Sequence, residues 1–357
     1  MPKKRLSLIC VYGAYFLLVF FLLIDIRSVF HDGLLLSDDY HYFKNRIPIS
    51  FDLDDVYRIK NIGYYNWNYY IAKLLPSDPV LAIVILNCLV YVFAVRFYLG
   101  KCYTTGELLS FLMPYPIILI SSINYKDLLL FSINLIIIKL LQLLFRNRYS
   151  SIFILCLPLG LLLIFADLLR FGNFATVFLA IILGAFLKTH TIKKIMLILV
   201  AYGVAIMLVL PEVFSLFGRD FWGYVSSRGV SSSANINYFL NFYSAGIFKT
   251  VFQYNPLTSL NYYFSDYGEH GFSTLYSKMN FYLFALTYFC SLPFALRGLS
   301  MLERHHVLLA YVILNIVVYS SIYGGLIGLR LSFPLCVIVF LCTCSYVERK
   351  NSIRNVC

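Results

Sequence analysis

The chain has 357 residues, of which 61% are hydrophobic and only 13% charged, and its formal net charge is +12. Ordinary soluble domains are about half apolar and about a quarter charged. A soluble enzyme, a disordered chain and a secreted module are therefore excluded. The fold class expected is an all-α integral membrane protein, a single polytopic domain over residues 1–357.

Ten apolar stretches set the predicted elements in chain order. They cover roughly 6–24, 79–98, 107–123, 128–145, 151–167, 172–187, 195–211, 280–298, 306–323 and 331–347. The first follows Met1-Pro-Lys-Lys-Arg and resembles a signal peptide only superficially. It lacks a small-residue cleavage site and its apolar run is too long, so it reads as a retained membrane helix. Pro114, Pro116 and Pro158 fall inside apolar stretches. Membrane helices tolerate proline where neighbours satisfy the freed carbonyls.

Charge sets the orientation, because Lys and Arg concentrate in cytoplasmic loops. With the N-terminus inside and the helices alternating, the inside segments hold Lys3, Lys4, Arg5, Arg96, Lys101, Arg146, Arg148, Lys188, Lys193, Lys194, Arg297, Arg304, Arg349, Lys350 and Arg354. Lys139, near the inner end of its helix, brings these to sixteen of the 29 cations, against three acids, Glu107, Glu303 and Glu348. The outside segments take the other thirteen cations and fourteen of the 17 acids. Both termini are thus expected in the cytoplasm. The net positive charge reads as a topology signal, and nucleic acid is not an expected partner.

Two long loops, 25–78 and 212–279, fall outside. Both are rich in Tyr and Asn. Tyr64, Tyr65, Trp67, Tyr69 and Tyr70 crowd the first; Tyr238, Phe239, Phe242, Tyr243, Phe248, Phe252 and Tyr254 sit in the second. Short helices lying on the outer membrane surface are predicted there, since aromatic rings suit the interface. The nine cysteines lie in apolar spans or cytoplasmic ends, so they form no disulfide framework. No zinc spacing, nucleotide fingerprint or Ser/His/Asp arrangement is present.

The candidate site residues all fall on the outer face. Asp38 and Asp39, in Ser-Asp-Asp-Tyr-His-Tyr, form a paired carboxylate that suits a general base or a divalent cation. With Asp52, Asp54 and Asp55 nearby they also read as a solvated acidic loop. Lys126 and Asp127 occupy a short outside turn, where they should pair or face a polar cavity. Equally, they read as helix-end anchors, with Asp127 favoured by the helix dipole. Asp167 and Arg170 are three apart, a spacing that allows a local salt bridge. Arg170 is the stronger site candidate, because an outside arginine opposes the charge bias.

Arg330 follows Gly324-Gly325-Leu-Ile-Gly328-Leu and precedes Leu-Ser-Phe-Pro334. A guanidinium there suits bidentate phosphate binding, and the glycines permit close backbone approach; snorkelling to head groups is the plainer alternative. Arg219 and Arg228 open the second loop and can reach an anionic head group, while Asp220 between them reads as solvated. The helix centres are nearly free of charge. A transporter would place polar groups there, so chemistry at the outer face on a lipid-linked substrate is the better expectation.

The acidic pair after the first helix, the long first outside loop, Lys126-Asp127 at a helix head and the late Gly-Leu-Arg-Leu-Ser-x-Pro together resemble bacterial polytopic proteins of surface-polysaccharide biosynthesis. Two groups share this appearance: Wzy-type O-antigen or capsule repeat-unit polymerases, and GT-C glycosyltransferases that use polyprenyl-phosphate sugars. The resemblance covers the topology of the whole chain and a few short motifs. It implies a location in the bacterial inner membrane and an undecaprenyl-pyrophosphate-linked glycan as substrate. It implies Arg330 on the phosphate, with Arg170, Arg219 and Arg228 as lesser candidates, and Asp38 or Asp39 as base. Lys126 and Asp127 would shape the cavity, and loop aromatics would stack on sugars. The bilayer is the expected surrounding, and a chain-length regulator and a flippase are the candidate protein partners. No cofactor is expected for a polymerase. A GT-C-like single-sugar transferase would instead use Mg²⁺ or Mn²⁺ on Asp38 and Asp39. The chain departs from GT-C enzymes in lacking their soluble C-terminal domain, and from described polymerases in lacking paired Arg-rich loop repeats.

Overall fold

A chain whose backbone lies in hydrocarbon must satisfy its own N–H and C=O groups, and a helix does this locally. The computed structural model describes residues 10–21, 62–74, 79–101, 103–114, 126–146, 152–170, 173–187, 192–216, 218, 220–229, 236–252, 275–302, 304–323 and 329–354. Among the described residues every regular element is helical. In chain order these are α1 (Cys10–Phe21), α2 (Ile62–Ala72), α3 (Pro79–Leu99), α4 (Thr105–Leu112), α5 (Lys126–Arg146), α6 (Ile152–Leu169) and α7 (Asn173–Phe186). Then follow α8 (Ile192–Leu216), α9 (Phe221–Gly229), α10 (Ile236–Phe252), α11 (Leu275–Gly298), α12 (His306–Tyr323) and α13 (Leu329–Arg354).

Four described helices are long and apolar enough to cross a membrane, within α3, α5, α8 and α11. The α6–α7 pair meets at a 120° bend and adds at most one more span. Two separate crossings were expected for 151–167 and 172–187. At 1.5 Å per residue α7 reaches about 21 Å, short of the roughly 30 Å hydrocarbon core. The described part of the third predicted stretch is the eight-residue α4, and residues 115–125 lie outside the described ones.

The chain divides into two compact units: Met1–Phe178 with Leu260–Phe284, and Leu179–Ser259 with Ala285–Cys357. In the first, α5 is central, packed against α3 and α6. Leu128 to Leu135 of α5 are buried almost without a break, as expected of a helix surrounded by other helices. The α3 end is set by the backbone: Gly100 adopts φ 72° and its N–H donates to the Arg96 carbonyl at 3.1 Å. This is the left-handed stop that glycine takes most cheaply. Thr104 and Glu107 then close a capping box that starts α4.

Helix α2 lies in the first long loop and was expected on the membrane surface. It is instead packed between α3 and α6, with Tyr64 and Asn68 fully buried. Gly63 permits this contact, since a Cβ there would meet the Leu168 backbone at 3.0 Å.

In the second unit α12 is the buried centre, packed against α8, α10 and α13. Gly246 lets α10 close on Ser320 of α12, and Gly298 lets α11 close on the Cys342 carbonyl of α13. Small residues at crossings are how membrane helices gain contact without a hydrophobic drive. Helix α8 is different: only 12% of its apolar window is buried. Met196, Leu197, Val200, Val204 and Leu208 are exposed along it, a face that suits lipid.

Candidate functional site

Within the first unit, α5 begins with Lys126-Asp127 and α6 ends at the Arg170 turn. The tight turn brings Arg170 back over the head of α5. Its guanidinium Nη2 lies 2.6 Å from Asp127 Oδ1. The approach is off the N–H axis, so it is a charge contact and not an aligned hydrogen bond. Both side chains are partly exposed, 25% for Arg170 and 15% for Asp127. The expectation joined Asp127 to its sequence neighbour and Arg170 to Asp167. Across the fold, Asp127 and Arg170 meet.

Asp167 has a separate task. Its Oδ1 accepts the backbone N–H of Phe174 at 2.8 Å, which caps the start of α7. The turn is fixed further by Arg170 N donating to Ala166 O at 3.0 Å and Asn173 N donating to Arg170 O at 3.1 Å. Just inside, Asn134 and Asn173 exchange two amide hydrogen bonds of 3.0 and 2.9 Å. The charged apex thus rests on a buried polar clamp. Neither asparagine stood out in the sequence; the available signal was an amide inside an apolar run.

The opposite end of α5 is basic. Lys139 lies twelve residues after Asp127, roughly 18 Å along the axis. Its ammonium sits near Gly100. Arg96 donates to the Gly100 carbonyl at 2.7 Å and lies 4.8 Å from the Tyr103 ring centre. The two ends of one unit therefore carry different charge chemistry, a basic cluster at one and an Asp–Arg pair at the other.

Of the remaining candidates, Asp38, Asp39 and Arg219 lie outside the described residues. Arg228 is placed on α9 and Arg330 on the first turn of α13, but their side chains lie outside what is described. Among the described residues no group of three His, Cys, Asp or Glu side chains could hold a metal ion.

The second unit holds a separate feature. Helix α8 ends before Gly218, whose φ of 65° turns the chain, and Gly218 N donates to Ser215 O at 2.9 Å. Asp220 then caps α9, its two carboxylate oxygens accepting from Trp222 N at 3.0 Å and Gly223 N at 2.9 Å. Asp220, read from sequence as a solvated charge, is thus an exposed cap. Phe214, Phe221, Trp222 and Phe239 form an edge-on aromatic cluster below it. A cleft of about 400 Å³ opens beside this corner, lined by Pro211, Ser215, Gly218, Asp220, Phe221 and Trp222.

Comparison with protein-family models, curated proteins and solved structures gave no match.

Proposed function

We propose that the chain is a glycan polymerase of the bacterial inner membrane, acting at its outer face on undecaprenyl-pyrophosphate-linked repeat units. The observation that supports this most directly is Arg170. It is a partly exposed guanidinium, held on a capped turn beside Asp127, at the end of the first unit away from the basic cluster. The charge bias of the loops puts that end outside. Arg170 already faces the Asp127 carboxylate, and its exposed quarter leaves room for a second anion to approach.

In the reaction, an acceptor sugar hydroxyl attacks the anomeric carbon of the donor glycan. The new glycosidic bond forms, the bond to lipid pyrophosphate breaks, and a base takes the hydroxyl proton. The leaving group is already good, so the protein's share is positioning and charge stabilisation. By the resemblance, Arg330 is the first candidate for the phosphate, with Arg170 a lesser one, and Asp38 or Asp39 the candidate for the proton. Arg219 and Arg228 add positive charge at the second loop. Asp127 holds Arg170 in place until an anion competes for it.

The test is a surface-polysaccharide gel from a deletion strain carrying wild type, Arg170→Ala, Arg330→Ala or Asp38→Ala with Asp39→Ala. Deletion should leave single repeats, and wild type should restore a ladder. Loss of one phosphate-stabilising donor typically costs about 10²–10³ in rate, so each Arg→Ala strain should show little or no ladder. A deletion strain that keeps its ladder, with one sugar missing from every repeat, would replace the polymerase with a single-sugar transferase.

A further inference from the structure

The cleft beside α9 has a chemistry of its own. Three of its lining residues are apolar or aromatic: Pro211, Phe221 and Trp222. Its other lining residues include two with acceptor oxygens, Ser215 and Asp220. Among its described lining residues there is no cation. The first N–H groups of α9, which would attract an anion, are already taken by Asp220. A ligand with one apolar face and several hydroxyl donors meets both surfaces favourably. A pyranose ring has that form: axial C–H bonds on one face and O–H groups around its edge.

The corner is also rigid. Trp222 is wedged edge-on against Phe221 at 5.2 Å and Phe239 at 6.2 Å between ring centres. Phe221 and Phe239 are buried, so Trp222 stays half-buried and fixed at the cleft wall. Gly223 leaves room for the cap, because a Cβ there would press on the Asp220 carboxylate and make it shift. Each carboxylate oxygen accepts one backbone N–H and keeps a further lone pair. A volume of about 400 Å³ is in the range of small-ligand sites.

We propose that this cleft is a saccharide subsite, which stacks one neutral hexopyranose on Trp222 and accepts its hydroxyl protons at Asp220. This rests on the glycan reading above, and adds to it a place for a sugar remote in sequence from the Arg170 turn.

The chain has two tryptophans, Trp67 and Trp222. Trp67→Phe therefore leaves Trp222 as the sole indole reporter. The purified full chain in lipid nanodiscs would be titrated with methyl glycosides of glucose, galactose, mannose, rhamnose and N-acetylglucosamine, with inorganic pyrophosphate as the anion control. At least one glycoside should shift Trp222 emission saturably with a millimolar Kd. Asp220→Asn should weaken that binding about tenfold, the size of one charge-assisted hydrogen bond. Asparagine is a good N-cap, but its single amide oxygen replaces only one of the two acceptors, so the melting temperature is read beside the binding, and Asp220→Ala, which loses the whole cap, sets the scale of a folding defect.

No saturable shift with any glycoside would overturn the subsite, as would a shift that Asp220→Asn leaves intact. A response to pyrophosphate alone would make the cleft an anion site and overturn it equally. The gel keeps the two readings apart. Failure of glycosides to bind while wild type restores a ladder removes only the subsite. Binding without a restored ladder removes only the polymerase.

Discussion

Asn134 of α5 and Asn173 of α7 form a reciprocal amide pair, each donating through Nδ2 to the other's Oδ1 across 39 residues of chain. Both side chains are buried, so neither can turn to water when its partner is removed. The pair ties the foot of the Arg170 turn to α5 and so fixes the position of the guanidinium.

Replacing either asparagine by leucine leaves the other amide unpaired in an apolar surround. Membrane-embedded polar pairs are typically worth about 0.6–2 kcal/mol. Each single variant should lose stability on that scale in detergent unfolding. The double variant should lose less than the sum of the two. An additive double variant would show that the amides do not act together.

The Asp127–Arg170 contact is partly solvated, so its value to stability is modest, about 1 kcal/mol or less. Asp127→Asn should fold and melt within a few degrees of wild type. If the carboxylate restrains Arg170 against a competing anion, this variant should bind undecaprenyl phosphate in nanodiscs more tightly than wild type. Arg170→Lys should bind it more weakly, because an ammonium lacks the planar fork. Equal affinities in all three would detach Arg170 from phosphate.

Gly298 of α11 lies directly against the Cys342 carbonyl of α13. The obstacle is backbone, which cannot swing aside as a side chain does. Gly298→Ala should separate the helices and cost about 1–3 kcal/mol, as overpacking does. Gly13 has nothing within 4 Å of its Cβ position, so Gly13→Ala is the matched control. Thermal aggregation in detergent reads the difference, and equal midpoints would refute the close crossing.

Gly100 ends α3 at φ 72°. Alanine is strained in that region by about 1–2 kcal/mol, whereas asparagine visits it more readily. Gly100→Ala should therefore lower the melting temperature more than Gly100→Asn. The reverse order would place the helix stop elsewhere.

The orientation can be read independently. Green fluorescent protein fused after Arg148 should fluoresce, and alkaline phosphatase fused after Gly172 should be active. The opposite pattern would put the Arg170 turn in the cytoplasm and remove its access to an outward-facing lipid-linked glycan.

The all-helical membrane character was legible from the sequence. Long apolar runs in hydrocarbon have a single local solution, the helix. The stops at Gly100 and Gly218 and the Thr104–Glu107 box are local too. The partners were not legible. Asp127 is 43 positions from Arg170, and a one-dimensional spacing rule pairs each with its sequence neighbour. The turn between α6 and α7 decides otherwise, because it carries Arg170 back over the head of α5 while Asp167 is drawn to the Phe174 amide. The same holds for α2, whose aromatics suit a membrane surface until Gly63 admits it to a helical groove. It holds again for Asp220, whose cap and cleft exist only once α8 stops at Gly218. Sequence alone determined that the chain is helical with apolar runs long enough to cross a membrane, since this follows from local bonding and transfer energy. Tertiary structure decided which polar side chains meet, since that depends on helix crossings set by packing across distant parts of the chain.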